Sequence, residues 1–133
     1  MTAFTSRELA LHAARLALDK GGEDLRVLEF PGGHMVFDYC VLVTGRSDRQ
    51  VHAIVEEIYH FCKRHNLPRM PVEGESGWML IDCLDVVVHA FNADTRKLYQ
   101  VDDLWRQARV VNHERELKKL VDPDRAEDAK AKV

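Results

Sequence analysis

The sequence lacks a hydrophobic run long enough to span a membrane, and it lacks the positive excess that drives direct binding to nucleic acids. Its 133 residues include 19 Lys and Arg against 22 Asp and Glu, a formal net charge of -3. Any link to RNA is therefore expected to pass through a basic protein. A hydrophobic fraction of 46% and a charged fraction of 31% are typical of a single globular domain.

Cysteine is scarce as well. Cys40, Cys62 and Cys83 are odd in number, widely spaced and set in apolar periodic stretches. Secreted disulfide frameworks normally use even numbers, so these three thiols are predicted to be reduced and buried, which favours a cytoplasmic location. Cys62 and His65 have the spacing of half a zinc site, but a second half is missing from the sequence, and we predict no metal site.

Signatures of catalysis are weak. Asp82 and Asp85 are three residues apart across a predicted turn, so orienting that turn is favoured over joint binding of Mg²⁺. Gly45-Arg46-Ser47 lies between a predicted strand and helix, where free amides attract anions, but a phosphate loop needs several glycines. We expect no catalytic residue, no cofactor and no enzyme activity. A small nucleotide-binding enzyme of the nucleotidyltransferase type is the alternative.

The predicted order of elements is a helix, two strands, a second helix, three strands and then short helical pieces. Thr5 with Glu8 and Ser47 with Gln50 form capping boxes that start two helices, each followed by apolar residues at helical spacing. Strands are predicted over residues 25–30, 37–43, 69–73, 78–82 and 85–91. Residues 94–105 are expected to be irregular or short-helical, and Asn112 to cap a final helix.

This order predicts the α/β class, with a five-stranded mixed sheet and helices packed on it. Residues 1–111 are predicted to form the domain. Residues 112–133 are predicted to be a C-terminal helical extension and charged tail.

Several short segments, spread over residues 6–105, have a specific order and spacing. They are Asp38-Tyr39, residues 43–50, Glu73-Gly74, Trp78, Asp82, residues 86–89, Phe91, Arg96, Leu98-Tyr99 and Leu104-Trp105. In these segments the chain resembles the ribosomal silencing factor family, also called the Iojap-related family. It departs from the family at Leu84, where a turn glycine is usual, and a turn that avoids positive φ is expected there.

The resemblance implies a nucleotidyltransferase-like topology without the catalytic apparatus. It implies binding to the large ribosomal subunit through its basic ribosomal protein number fourteen, on the face that meets the small subunit. The bound protein would sterically block joining of the small subunit and repress translation under nutrient limitation and in stationary phase. Neither direct contact with nucleic acid nor a membrane is needed.

Aromatic residues and arginine dominate protein interfaces, so their concentration in the second half predicts a docking patch. The residues predicted to line or support this patch are Trp78, Asp82, His89, Arg96, Tyr99, Leu104 and Trp105. Trp78, Tyr99 and Trp105 are expected to be its anchors. Asp82, together with Asp102 and Asp103, is expected to meet basic residues of the partner. The same face can pair two copies of the free protein, and the sequence leaves a homodimer open.

Overall fold

The computed structural model describes residues 4–33 and 35–124. The helices are α1 (Ser6–Asp19), α2 (Asp48–Arg64), α3 (Ala93–Leu98), α4 (Val101–Leu104) and α5 (His113–Leu117). The strands are β1 (Glu23–Glu29), β2 (Tyr39–Gly45), β3 (Glu73–Glu75), β4 (Trp78–Asp82), β5 (Val86–Asn92) and β6 (Arg109–Val111). The predicted mixed α/β class is confirmed.

The strands form one sheet in the order β3-β4-β5-β2-β1-β6. The central pair, β2 and β5, is parallel, and the other neighbours are antiparallel. The prediction of five strands is wrong, since the described residues form six. The additional strand is β6, in which Val111 pairs with Val27 of β1. Three residues are too short a run to show alternation in a sequence. The strand predicted over residues 69–73 is displaced, since β3 covers Glu73–Glu75.

The starts of both long helices are capped. Glu8 N donates to Thr5 Oγ1 at 3.1 Å and Thr5 N donates to Glu8 Oε1 at 2.9 Å, which confirms the first capping box. Ser47 Oγ accepts from Gln50 N at 3.1 Å. The reciprocal half of the second box differs from the prediction, because the Gln50 side chain bonds to Arg46 N and to the Lys20 carbonyl instead. Gln50 thereby ties the end of α1 to the start of α2.

The main core lies between the sheet and the two long helices. Helices α1 and α2 cover one face of the sheet, and they bury every second residue of the central strands. Val41 and Val88, from β2 and β5, are fully buried there against Ile54 and Ile58 of α2. The three cysteines are free and buried.

The other face of the sheet has a smaller core. Leu28, Cys40, Leu42 and Phe91 are buried there beneath Val101 of α4. The cover consists of α3, α4 and the loop that follows, and it thins toward β4, where Trp78 and Leu80 are half-exposed. This thinly covered face positions the candidate site.

The segment after β6 packs on the long helices. Asn112 caps α5 as predicted, since its Oδ1 accepts from Arg115 N at 3.1 Å. Arg7 of α1 donates to Glu116 at 2.8 Å, and Arg15 donates to the Leu117 carbonyl at 2.7 Å. The predicted charged tail beyond residue 124 lies outside the described residues. Among residues 4–33 and 35–124, every helix is too short or too polar to cross a lipid bilayer.

The turn between β4 and β5 holds Leu84 in the left-handed region, with φ of +69°. The expectation that leucine would impose a turn without positive φ is therefore wrong. Asp82 Oδ1 accepts from Leu84 N at 2.8 Å, and Cys83 N donates to the Val86 carbonyl at 2.8 Å. These bonds and the pairing of the two strands outweigh a conformational cost of about 1 to 2 kcal/mol.

Replacing Leu84 by glycine is expected to raise the free energy of unfolding, by up to about 1 kcal/mol. Relief of the left-handed strain exceeds the entropy that glycine adds to the unfolded chain, and Leu84, at 51% exposure, loses little burial. Urea unfolding measures the change. The control is Leu18→Gly in α1, which should lower the free energy by about 1 kcal/mol. Equal losses in both variants would contradict the argument.

Candidate docking surface

Alternate residues of β4 and β5 point away from α1 and α2. They pair across the two strands as Trp78 with Phe91, Leu80 with His89, and Asp82 with Val87. Phe91 is buried, whereas the other five are half-exposed. We call this sheet face, together with residues 93–108 that border it, the aromatic surface.

Trp78 is held in one orientation at the centre of the aromatic surface. Its indole Nε1 donates to Nδ1 of His89 at 3.1 Å, and its ring centroid lies 5.4 Å from those of both Phe91 and Tyr99. Because an indole N–H only donates, Nδ1 of His89 must be unprotonated. Burial lowers the pKa of His89 to about 4, so its imidazole is neutral near pH 7 and accepts the bond.

Leu98 and Tyr99 project into solvent from the end of α3. They are 74% and 58% exposed, and Gln100, with φ of +47°, turns the chain sharply into α4. Together with Trp78 they border an open groove of about 530 Å³, whose other walls are Gly74, Glu75, Ser76, Leu80 and Thr95. Apolar side chains with this much exposure favour a partner that removes them from water.

A second groove, of about 600 Å³, lies on the Trp105 side of His89. Trp105 is half-buried, with its ring 5.6 Å from His89 and 6.4 Å from Phe30, and Leu104 is 59% exposed. The apolar walls of this second groove are Phe30, Pro31, Met35, Leu104, Trp105 and Ala108. Tyr99, Trp78, His89, Trp105 and Phe30 thus form an unbroken series of ring contacts between the two grooves.

Arg96 supports the aromatic surface from within and does not line it. It is 8% exposed, and its Nε and Nη2 donate to the Asp102 carboxylate at 2.9 and 2.7 Å. Its Nη1 donates to the Asp24 carbonyl at 2.7 Å and to Thr44 Oγ1 at 2.9 Å. The guanidinium therefore fastens the α3–α4 turn, which carries Tyr99, to the start of β1 and the end of β2.

The two acidic residues that follow Tyr99 have different environments. Asp102 accepts hydrogen bonds from Arg96 and from Arg26, and these lower its pKa to about 2. Its charge is thus already paired within the protein. Asp103 is exposed beside the second groove, where it can meet a basic residue of a partner.

Asp82 and Asp85 serve the turn and the sheet. Asp82 Oδ1 orients the β4–β5 turn through Leu84 N, as predicted. Asp85 contributes its backbone carbonyl, which accepts from Asp38 N at 2.8 Å and from Tyr39 N at 3.1 Å. Across residues 4–33 and 35–124, we find no group of three or more His, Cys, Asp or Glu arranged to hold a metal ion.

Gly45-Arg46-Ser47 forms the turn and cap before α2. Arg46 is paired with Glu23, and Ser47 is used as the N-cap. Glu23, Asp48 and Asp94 border the same hollow. Their carboxylates repel an anion, so the geometry favours the structural role of this segment over phosphate binding.

Sequence reasoning missed several exposed apolar residues. Leu98 is more exposed than Tyr99 beside it, and Val36, at 97% exposure, precedes the half-buried Phe37. No local signal marks Leu98 as exposed, since consecutive residues, such as those at i+3 and i+4, commonly share the apolar face of a helix.

The chain is similar to one protein family and to several known proteins and solved structures. A family model described as ribosomal silencing factor during starvation matches residues 3–133. A Bacillus subtilis protein named ribosomal silencing factor is 39% identical over 102 residues, 75% of this chain and 86% of its own. A mouse protein named mitochondrial assembly of ribosomal large subunit protein 1 is 28% identical over 95 residues, 68% of this chain and 42% of its own. A crystal structure from Chromobacterium violaceum matches with a TM-score of 0.72 and 28% identity, covering 77% of this chain and 87% of its own.

Acid is expected to destabilise the fold through His89. Its pKa falls from 6.5 to about 4 on folding, so the unfolded chain binds the proton more tightly. The stabilisation is complete above about pH 6.5 and is lost as the pH falls toward about 4, with an upper limit near 3 kcal/mol. Urea unfolding at pH values between these limits measures the loss.

The controls for this pH dependence are two glutamine variants. His89→Gln keeps an acceptor for Trp78 and should lose much of the dependence. His52→Gln, on the exposed side of α2, should retain it. A wild-type pH dependence in His89→Gln would contradict the assignment.

Asp102→Asn and Asp103→Asn form a matched pair of neighbouring substitutions. Asp102→Asn is expected to lower the free energy of unfolding by about 1 to 2 kcal/mol, because two arginines lose a charged acceptor that is only partly shielded from solvent. Asp103→Asn should change it by less than about 0.5 kcal/mol. Chemical denaturation compares the two, and equal effects would show that the Arg96 contact does not hold the turn.

Proposed function

Because the chain belongs to the ribosomal silencing factor family, we propose that it binds the large ribosomal subunit through ribosomal protein number fourteen. The bound protein occupies the face that meets the small subunit and sterically blocks joining. The action is stoichiometric binding, without an enzymatic step. It takes place in the cytoplasm and represses translation under nutrient limitation and in stationary phase. The mouse relative, named for assembly of the ribosomal large subunit, supports that subunit as the partner.

The observation that carries this proposal is the exposure of Leu98 and Tyr99 beside a fixed Trp78. Trp78 cannot turn freely, because His89 accepts its N–H and because Phe91 and Tyr99 contact its ring. An aromatic anchor that is already oriented loses little conformational entropy when a partner covers it. Such residues, near the centre of an apolar patch, are those whose truncation weakens binding most.

Charge at the rim of the aromatic surface fits a basic partner. Glu75 borders the first groove, Asp103 borders the second, and Asp82 is half-exposed at the end of β4. Complementary charges of this kind raise the association rate and the salt dependence more than the final affinity. The protein's net charge of -3 acts in the same direction.

We also propose two finer features of the architecture, its topology and its domain boundary. A nucleotidyltransferase-like topology is consistent with a mixed sheet whose central strands, β2 and β5, are parallel. A domain boundary after residue 111 is consistent with burial, since Val111 is 5% exposed and residues 112–124, all described, include no buried residue. Residues 112–133 are then an extension of the domain.

Sucrose-gradient sedimentation tests the proposal. Purified large and small subunits are mixed with the protein at a magnesium concentration that normally drives joining. We expect the subunits to stay apart and the protein to travel with the large one. Normal joining, with the protein left at the top of the gradient, would end the proposal. Titration of isolated ribosomal protein number fourteen then tests the named partner.

Two interface variants and one control variant map the interface. Tyr99→Ala is expected to weaken binding to the large subunit at least about 30-fold, the effect of losing roughly 2 kcal/mol at a central anchor. Leu98→Asp should abolish blocking of subunit joining, because a charge would be buried in the apolar contact. The matched control, Leu18→Asp, lies on α1 in the opposite layer and should bind normally. Melting temperatures confirm that the variants fold.

The aromatic surface also offers a contact through which two copies of the free protein can pair. If two copies pair through it, sedimentation equilibrium will show a dimer that Leu98→Asp dissociates and that isolated ribosomal protein number fourteen displaces. A dimer unaffected by Leu98→Asp would use another face.

A further inference from the structure

The thiols of Cys62 and Cys83 meet inside the main core. Their Sγ atoms are 3.6 Å apart, although the two residues are 21 positions apart in the chain. Cys62 lies near the end of α2, and Cys83 follows β4 in the turn to β5. They are 0% and 3% exposed. Side-chain rotation would have to bring the two sulfurs to the roughly 2.05 Å of a disulfide bond.

The connection after α2 places a positive charge beside this pair. Leu67 N donates to the Cys62 carbonyl at 2.8 Å, and the guanidinium of Arg69 donates to the Leu67 carbonyl at 3.2 Å. The Arg69 Cζ also lies 5.3 Å from the centre of the Tyr59 ring. Among the described side chains, the buried Nε of Arg69 lacks a hydrogen-bond partner. A cation with a buried, unused donor favours a nearby anion.

The two thiols are inequivalent. The contact with Cys83 lowers the pKa of Cys62, burial opposes this, and the charge of Arg69 adds to the lowering. The pKa of Cys83 is raised, chiefly by its contact with Cys62 and by burial. Either thiol can donate across the Sγ–Sγ contact. The positive charge of Arg69 favours the thiolate, the reactive form of cysteine, at Cys62.

We propose that Cys62 and Cys83 form a redox-active pair, which a small peroxide oxidises to an intramolecular disulfide. First, the Cys62 thiolate attacks one oxygen of hydrogen peroxide. The O–O bond breaks, Cys62 becomes a sulfenic acid, and the released hydroxide takes up the proton that Cys62 had lost, giving water. Second, Cys83 Sγ attacks the Cys62 sulfur and the S–O bond breaks. The hydroxyl leaves with the Cys83 proton as a second water, and the peroxide has taken up two electrons from the two thiols.

The disulfide would join the helical layer to the sheet. It connects the end of α2 with the β4–β5 turn, and the strands on either side of that turn carry Trp78 and His89 of the aromatic surface. A peroxide is small enough to enter beside the turn, where Leu84 is 51% exposed. The proposal is independent of what the aromatic surface binds.

The test uses the full-length protein treated with hydrogen peroxide while folded. Free thiols are then blocked with a maleimide in denaturant. Trypsin cuts after Lys63 and Arg69, so Cys62 and Cys83 fall on different peptides. We expect one cross-linked peptide pair, lighter by two hydrogens than the sum of its parts, which separates after reduction. Failure of this pair to form in the folded protein overturns the proposal.

Cys40 provides the matched control. It is equally buried, on the other face of the sheet, and burial raises its pKa to about 12. Cys40→Ser should form the disulfide at the wild-type rate, whereas Cys62→Ser and Cys83→Ser should not form it. Oxidation of Cys40 as fast as the pair would contradict the proposal, because the second thiol and Arg69 would then give the pair no advantage over an equally buried single thiol.

Two further measurements distinguish a redox-active pair of cysteines from two thiols that only lie in contact. Arg69→Gln should slow the loss of maleimide-reactive thiols several-fold, and Arg69→Lys, which keeps the charge, should slow it less. The oxidised protein should melt about 5 to 15 °C higher than the reduced protein, since the cross-link restricts the unfolded chain. Cys83→Ser should show no such rise. Equal rates in all Arg69 variants would remove the assigned role of the guanidinium.

Discussion

The parallel pairing of β2 with β5 is the constraint on which the rest of the structure depends. Seven residue pairs join the two strands along their whole length. A parallel pair needs a long crossover, and here α2 makes part of it on the same face as α1. Both long helices are thus used on one side of the sheet. The opposite side is left to short elements, and the aromatic surface lies where that cover ends.

Elements with strong local patterns were predictable. The apolar spacing in α2, its Ser47 cap and the unbroken apolar run of β2 each identify an element without help from distant residues. Elements that form only through pairing with residues far away in the sequence were not predictable. Strand β6 exists because Val111 pairs with Val27, and the left-handed turn at Leu84 persists because β4 and β5 are already paired.

The candidate site was predictable as a set of segments but not as a set of exposed side chains. Aromatic content and the family resemblance pointed to the stretch of chain that forms the aromatic surface. They could not show that Arg96 is buried while Leu98, two residues later, is exposed. That difference is decided by the Asp24 carbonyl and Thr44, which precede Arg96 by 72 and 52 residues. Long-range hydrogen bonds of this kind leave no local pattern.

The placement of the tryptophans gives the molecule an optical reporter. The chain has two, Trp78 and Trp105, and both rings lie against His89, at 6.1 and 5.6 Å between centroids. Fluorescence excited selectively in tryptophan therefore arises entirely from the aromatic surface. A partner that covers the whole surface changes the surroundings of both fluorophores, whereas the long helices of the opposite layer contain no tryptophan. Unlabelled protein can thus report occupancy of this one surface in real time.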